Sequence, residues 1–135
     1  MRSNAEKGKW GELVAAHYLQ KLGYTILDQN VRTPYGEIDL IAIESTQDAH
    51  GCLEDNLVFV EVKMRTSNKF GYPEDSINTR KCNNLLASIQ SYLQEHPEIV
   101  LFWRIDVVAI QKDIHTKKTN IHHFIDAITN IETNQ

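Results

Sequence analysis

Two runs of residues combine strand-forming side chains with charges that a protein core would not choose: Glu37-Ile-Asp39-Leu-Ile-Ala-Ile43 and Leu57-Val-Phe-Val-Glu61-Val-Lys63-Met64. Their β-branched and aromatic content reads as strand. Side chains alternate along a strand, so Glu37 and Asp39 share one face of the first run, and Glu61 and Lys63 one face of the second. Val58, Val60, Val62 and Met64 form the opposite, core-facing side of the second run. Acids and a lysine on a buried strand add no stability unless they are paired or hold a metal. Phosphodiester hydrolysis at neutral pH needs charge neutralised on the phosphate and an activated water. Mg²⁺ supplies both, and it prefers one or two carboxylates together with waters and phosphate oxygens. Asp39 and Glu61, on neighbouring strands, can provide those carboxylates. Lys63 sits about 7 Å further along the strand on the same face as Glu61. From there an ammonium can orient the attacking water, favour its deprotonation, or stabilise charge developing on the phosphorane.

The same residues admit other readings. A buried Glu61–Lys63 pair can be purely structural, and two carboxylates can be the acid and base of a glycosidase. The glycosidase reading lacks an aromatic sugar platform and leaves Lys63 without a role.

The elements that must position these residues follow from the rest of the chain. A first helix begins near Ser3 or Asn4 and stops at Gly23. Its apolar stripe is Ala15, Ala16, Leu19 and Leu22, and Glu12 falls near the centre of that stripe with Gly8 and Gly11 beside it. Glu12 is either a helix-start carboxylate favoured by the macrodipole or a site residue turned inward. Tyr24 to Asn30 reads as a strand, Thr33-Pro-Tyr-Gly36 as a turn, and Ser45 to Asn56 as a polar loop. Arg65 to Asp75 is a second polar stretch containing Phe70-Gly-Tyr-Pro73, readable as a nucleic-acid-contacting loop or as an Ω-loop packed on itself. A second helix runs from about Ser76 to Glu95, with Cys82, Leu85, Leu86, Ile89, Tyr92 and Leu93 on its apolar face and Lys81 at its edge. Val100 to Ile110 is a further strand, on which Arg104 and Asp106 read as an ion pair. His122 to Ile128 is a last strand or a short helix. These elements make an α/β domain with a mixed central sheet flanked by helices.

At 135 residues the chain is one domain, 1–135, with a core spanning about 4–128. With 41% hydrophobic and 24% charged residues it has the composition of a soluble protein, and no apolar run is long enough to span a bilayer. The N-terminus carries no signal-peptide hydrophobic stretch, so a cytoplasmic location is expected. Cys52 and Cys82 fall in no metal or redox pattern and read as reduced, incidental thiols. His115, His122 and His123 weigh more as surface or partly buried residues than as a metal site, since neighbours on a strand point apart. The net charge of −4 argues against a nucleic-acid partner, but its distribution is uneven. Residues 37–62 hold seven acids and no Lys or Arg, whereas residues 63–81 hold five bases (Lys63, Arg65, Lys69, Arg80, Lys81) against two acids. That order suits a site binding a cation beside a phosphate chain, and equally a surface of patchy charge.

Gly8-Lys-Trp-Gly-Glu12, Arg32-Thr-Pro-Tyr-Gly-Glu-Ile-Asp-Leu-Ile-Ala42, Val58-Phe-Val-Glu-Val-Lys-Met-Arg65, Phe70-Gly-Tyr-Pro73, Lys81 and Arg104-Ile-Asp-Val107 resemble the YraN-like family of bacterial proteins. That family is similar to archaeal Holliday-junction resolvases and carries the PD-(D/E)xK pattern of the restriction-endonuclease-like fold. The resemblance implies a Mg²⁺- or Mn²⁺-dependent nuclease on DNA, branched or damaged DNA included, with Asp39, Glu61 and Lys63 as its catalytic triad. It adds Glu12 as a metal-supporting carboxylate beside Asp39 and Glu61, and Lys81 as a phosphate contact together with Arg65, Lys69 and Arg80. A homodimer is compatible with it, as is the alternative of a non-catalytic nucleic-acid- or partner-binding module. Two departures stand out: Ile38 occupies the proline position of the pattern, and Asp48 to Asn56 is longer than the expected link, as an insertion or a lid.

Overall fold

The computed structural model describes residues 4–65 and 79–128. In chain order its elements are α1 (Asn4–Lys21), β1 (Thr25–Thr33), β2 (Gly36–Gln47), β3 (Leu53–Arg65), α2 (Thr79–Glu95), β4 (Phe102–Lys112) and β5 (Thr119–Phe124). The strands form one sheet in the order β1-β2-β3-β4-β5. All neighbours are antiparallel except β3 and β4, which run parallel from Asn56↔Phe102 to Arg65↔Gln111. A parallel pair needs a crossover, and the connection containing α2 supplies it. The result is the expected α/β fold with a mixed sheet, consistent with a restriction-endonuclease-like architecture.

One helix covers each face. Ala15, Ala16 and Leu19 of α1 pack on Leu40, Ala42, Val58, Val60, Val108 and Ile110. On the other side Cys82, Leu85, Ile89 and Tyr92 of α2 meet Ile41, Leu57, Phe59, Ile105 and Val107. The central strands are therefore apolar on both faces, which is why 57–60 reads as a continuous hydrophobic run. Helix α1 stops as its glycine dictates. Gly23 adopts a left-handed φ of 96°. Its N–H donates to Gln20 O at 3.0 Å and that of Tyr24 to Leu19 O at 3.0 Å, the paired bonds of a Schellman motif. Leu22, expected in the buried stripe, lies past the last helical turn and is 56% exposed.

The polar stretch Ser45–Asn56 is not a loop. Strand β2 continues to Gln47 and β3 starts at Leu53, with the ladder running through Ser45↔Asp55, Thr46↔Glu54 and Gln47↔Leu53. Only a tight turn remains, in which the Asp48 carboxylate accepts the N–H groups of His50 and Cys52. A two-stranded ribbon open to water tolerates polar side chains, because backbone groups make the ladder. This ribbon points away from the charged residues. Gln47 lies seven residues beyond Leu40, roughly 24 Å along the strand, so the ribbon is no lid over Asp39.

Candidate active site

The site begins where a ladder ends. Pairing between β2 and β3 proceeds from Gln47↔Leu53 to Leu40↔Val60 and stops there. Beyond it, the Asp39 carboxylate accepts the Val62 N–H at 2.8 Å, in place of a strand carbonyl. On the other side of β2, Asn30 sits between the pairs Gln29↔Leu40 and Val31↔Ile38 and has a left-handed φ of 52°. Here the alternation of β2 slips: Ile38 joins the cluster under α2, while Leu40 packs under α1. Asp39 stands at the slip, between the two layers.

Acids reach this point from both helix-covered sides. In α1, an added Cβ on Gly11 would lie 3.2 Å from Met64 Sδ, so glycine lets the helix close onto β3. Glu12 follows it. Carboxylate oxygens of Glu12, Glu37 and Asp39 lie within 4.8 Å of one another. Burial, and next the charge of Glu61, push the Asp39 carboxyl up to about 7, with Glu12 and Glu37 adding to the rise and the Val62 N–H opposing it. Burial also raises Glu12, helped by the charges of Glu37 and Glu61 and resisted by hydrogen bonds with Asn30 and Asp39. Like charges crowded in a low-dielectric gap cannot all stay ionised without a cation.

Glu61, itself buried, is held by two lysines. Lys63 Nζ lies 3.3 Å and Lys81 Nζ 3.2 Å from the same Oε1. Burial pulls the Lys63 ammonium below its ordinary value, Lys81 beside it pulls further, and Glu61 only partly offsets them. For Lys81, burial is outweighed by Lys63 and by the charge of Glu61, so its value rises. Lys63 is thus the amine closer to releasing its proton. Lys81, with a side chain 47% exposed against 14% for Lys63, is the one open to a ligand. A cavity of about 220 Å³ opens here, lined by Glu37, Asp39 and Glu61 from the strands and by Lys81, Asn84 and Ser88 from α2.

Structure therefore gathers Asp39, Glu61, Lys63, Glu12 and Lys81 into one place. Arg65 and Arg80 are exposed at the end of β3 and the start of α2, and Lys69, with the Phe70–Pro73 segment, lies outside the described residues. Three contributors went unassigned in the sequence. Glu37 shares its strand with Asp39, but alternation alone does not show that it meets Glu12. Asn30, whose backbone is left-handed, hydrogen-bonds Glu12 from β1. Ser88, fully buried on α2, lies 2.8 Å from Thr33 Oγ1 and fixes the turn that precedes Glu37. An added Cβ on Gly36, with φ +148°, would also approach Ser88 Oγ to 3.5 Å.

Arg104 and Asp106 belong elsewhere. Arg104 bridges Asp106 at 2.9 Å and Glu44 at 2.7 Å, and donates to Tyr24 Oη at 3.0 Å. Asp106, wholly buried, also meets His123 Nε2 at 2.7 Å and accepts the Asp126 N–H at 2.9 Å. Burial works against its charge, but these partners hold its carboxyl below the ordinary range. This is a structural network, as the ion-pair reading expected. His122 stacks near Phe124 and His115 lies in the β4–β5 turn, so the three histidines go separate ways. Cys52 and Cys82 are free thiols, one exposed and one in the core.

Residues 11–110 match the profile of the family described as "Uncharacterised protein family UPF0102". The chain belongs to the UPF0102 family. It is 42% identical to a UPF0102 protein of Syntrophomonas wolfei over 92% of this chain and 98% of that one. A UPF0102 protein of Alkaliphilus oremlandii is 39% identical over the same shares, and one of Syntrophotalea carbinolica 37% identical over 87% of this chain and 86% of its own. The family match bears out the YraN-like resemblance and spans every residue from Glu12 to Asp106 discussed above. Among the described residues no helix is long and apolar enough to cross a membrane.

Proposed function

We propose that this protein is a Mg²⁺- or Mn²⁺-dependent phosphodiester hydrolase acting on DNA, with branched or damaged DNA as its substrate class. One observation carries the reading: three carboxylates within 4.8 Å, one of them pushed up to about 7, beside a lysine whose proton is loosened. The donors suit the ion. Mg²⁺ takes carboxylate oxygens, and this cluster offers three carboxylates converging on one point. Asp39 and Glu12 would hold the cation, with Glu37 as a third carboxylate within reach. When bound, the ion neutralises phosphate charge and acidifies a coordinated water. Lys63, buried and paired to Glu61, would orient the attacking water and stabilise the negative charge that develops as that water loses its proton to solvent. Lys81, more exposed, would contact a phosphate oxygen, and Glu61 would be the remaining carboxylate available to the cation. Arg65 at the end of β3 and Arg80 at the start of α2 add further phosphate contacts, and from the sequence Lys69 is assigned the same role.

The test is cleavage of single-stranded, duplex and four-way-junction DNA with and without Mg²⁺ or Mn²⁺. Product should form only with metal. Lys63→Ala and Asp39→Asn should each reduce the rate by about 100-fold or more, the usual scale for losing a group that stabilises developing charge. Cleavage that persists in both variants rejects the assignment. One observation favours a second reading: Glu61 already has two ammonium partners, as a purely structural cluster would. In that case calorimetric titration of Mn²⁺ shows no heat in wild type, and Asp39→Asn alters melting alone.

A further inference from the structure

Charge in this molecule is sorted along the strands. The ribbon end of the sheet, residues 44–55, holds Glu44, Asp48, Glu54 and Asp55 and no Lys or Arg. The opposite end, where the carboxylate cluster opens, carries a second basic element that lies beyond the residues of the family match. It is the β4–β5 turn, residues 112–118, with Lys112, Lys117 and Lys118. Because β4 runs parallel to β3, with Lys63 beside Ala109 and Arg65 beside Gln111, the turn starts about 10 Å along the strand from Lys63.

The turn is built to present those lysines. Asp113, its one acid, is spent on its own backbone, accepting the N–H of His115 at 2.8 Å and of Thr116 at 3.1 Å. Those two bonds hold its carboxyl below the ordinary range. Asp113 and Lys118 close the turn through N–H to O at 2.9 Å, and Lys117 donates its N–H to Asp113 O at 2.8 Å from a left-handed φ of 59°. Lys117 and Lys118 are exposed at the tip. Lys112 stands 5.4 Å over the Trp10 ring and so ties the turn to the helix that carries Glu12. Arg80 and Lys81 flank the cluster on one side, and this turn flanks it on the other, across β4.

We propose that the β4–β5 turn is a second phosphate clamp, in which Lys117 and Lys118 grip the backbone of duplex DNA several base pairs from the phosphate held at Asp39. A span of roughly 15 Å corresponds to about four to five base pairs. The inference rests on the nuclease reading for its ligand, and it also resolves the objection from net charge. An acidic protein can hold DNA when the acids of its ribbon stand at the far end of the sheet and exposed bases flank the carboxylate cluster at the near end.

The measurement is the salt dependence of duplex binding by wild type, Lys117→Gln/Lys118→Gln and Lys21→Gln, with Ca²⁺ in place of Mg²⁺. Each lost phosphate contact lowers the slope of log K against log salt by about one. The double variant should therefore lose about two units of slope and bind more weakly on every sequence. Lys21→Gln, at the far end of α1, should match wild type. An unchanged slope in the double variant rejects the clamp, and Mg²⁺-dependent cleavage in the same preparation shows that the nuclease reading survives. Wild type that neither binds nor cleaves DNA rejects both. If the double variant loses only binding to polyglutamate, the turn serves an acidic protein partner, and the DNA clamp is wrong.

Discussion

At the scale of single residues, Asp39 concentrates the physics of the site. Its folded value, about 7, lies far above the 3.8 of a free aspartate. A carboxyl raised on folding favours the native state fully at low pH, and that advantage fades as pH climbs through the folded value. Protein stripped of divalent ions should therefore melt at a lower temperature at pH 8 than at pH 6. Mn²⁺ should restore the melting temperature at pH 8, and Asp39→Asn should flatten both responses. A melting curve that ignores Mn²⁺ at pH 8 would count against a metal at this cluster. Asp106 has the opposite sign. Its partners depress its carboxyl, so its contribution holds above the ordinary aspartate range and is lost on acidification.

At the scale of elements, two devices bring charge into a sheet that is otherwise apolar. One is the early end of the β2–β3 ladder, which leaves the Val62 N–H to a side chain instead of a strand carbonyl. The other is the network pinning β4 and β5 to α1 through Tyr18, whose Oη lies 3.3 Å from His123 Nδ1. Breaking that network has a definite cost. Asp106→Ala leaves Arg104 and His123 without their shared partner in a buried place. It should destabilise the fold by about 3–5 kcal/mol in urea unfolding while leaving Mn²⁺ affinity unchanged. If metal affinity fell in step with stability, the two charged clusters would be one unit.

At the scale of the whole molecule, the long axis of the strands separates tasks. The last ribbon pair, at Gln47, lies roughly 27 Å along the strand from Asp39. Replacing residues 45–55 by a two-residue Asn-Gly turn should therefore leave metal binding and cleavage rates within about twofold of wild type. A larger loss would mean that the ribbon contacts substrate or a partner.

How much of this was legible beforehand depends on which interactions are local. Composition and periodicity alone were enough for the α/β class, the buried strands and the apolar face of α2, since burial leaves a mark on every residue of an element. Asp39, Glu61 and Lys63 stood out because charge is costly on such strands. The same logic failed for Ser45–Asn56, where a water-exposed ribbon has no apolar signature. Alternation likewise could not reveal the slip at Asp39, because a left-handed residue on the neighbouring strand accompanies it and sequence patterns assume an unbroken pleat. Only the tertiary structure placed Glu37 beside Glu12, set two lysines on one oxygen of Glu61, and sent Arg104 and Asp106 to a separate network. It also aligned the 112–118 turn with the site end through the parallel register of β3 and β4. These outcomes rest on contacts between residues far apart in the chain, whose energies depend on strand register and on the close approach of α1 at Gly11. The sequence determined which residues would carry unusual charge, and the packing of the two helices on the sheet decided which of them meet.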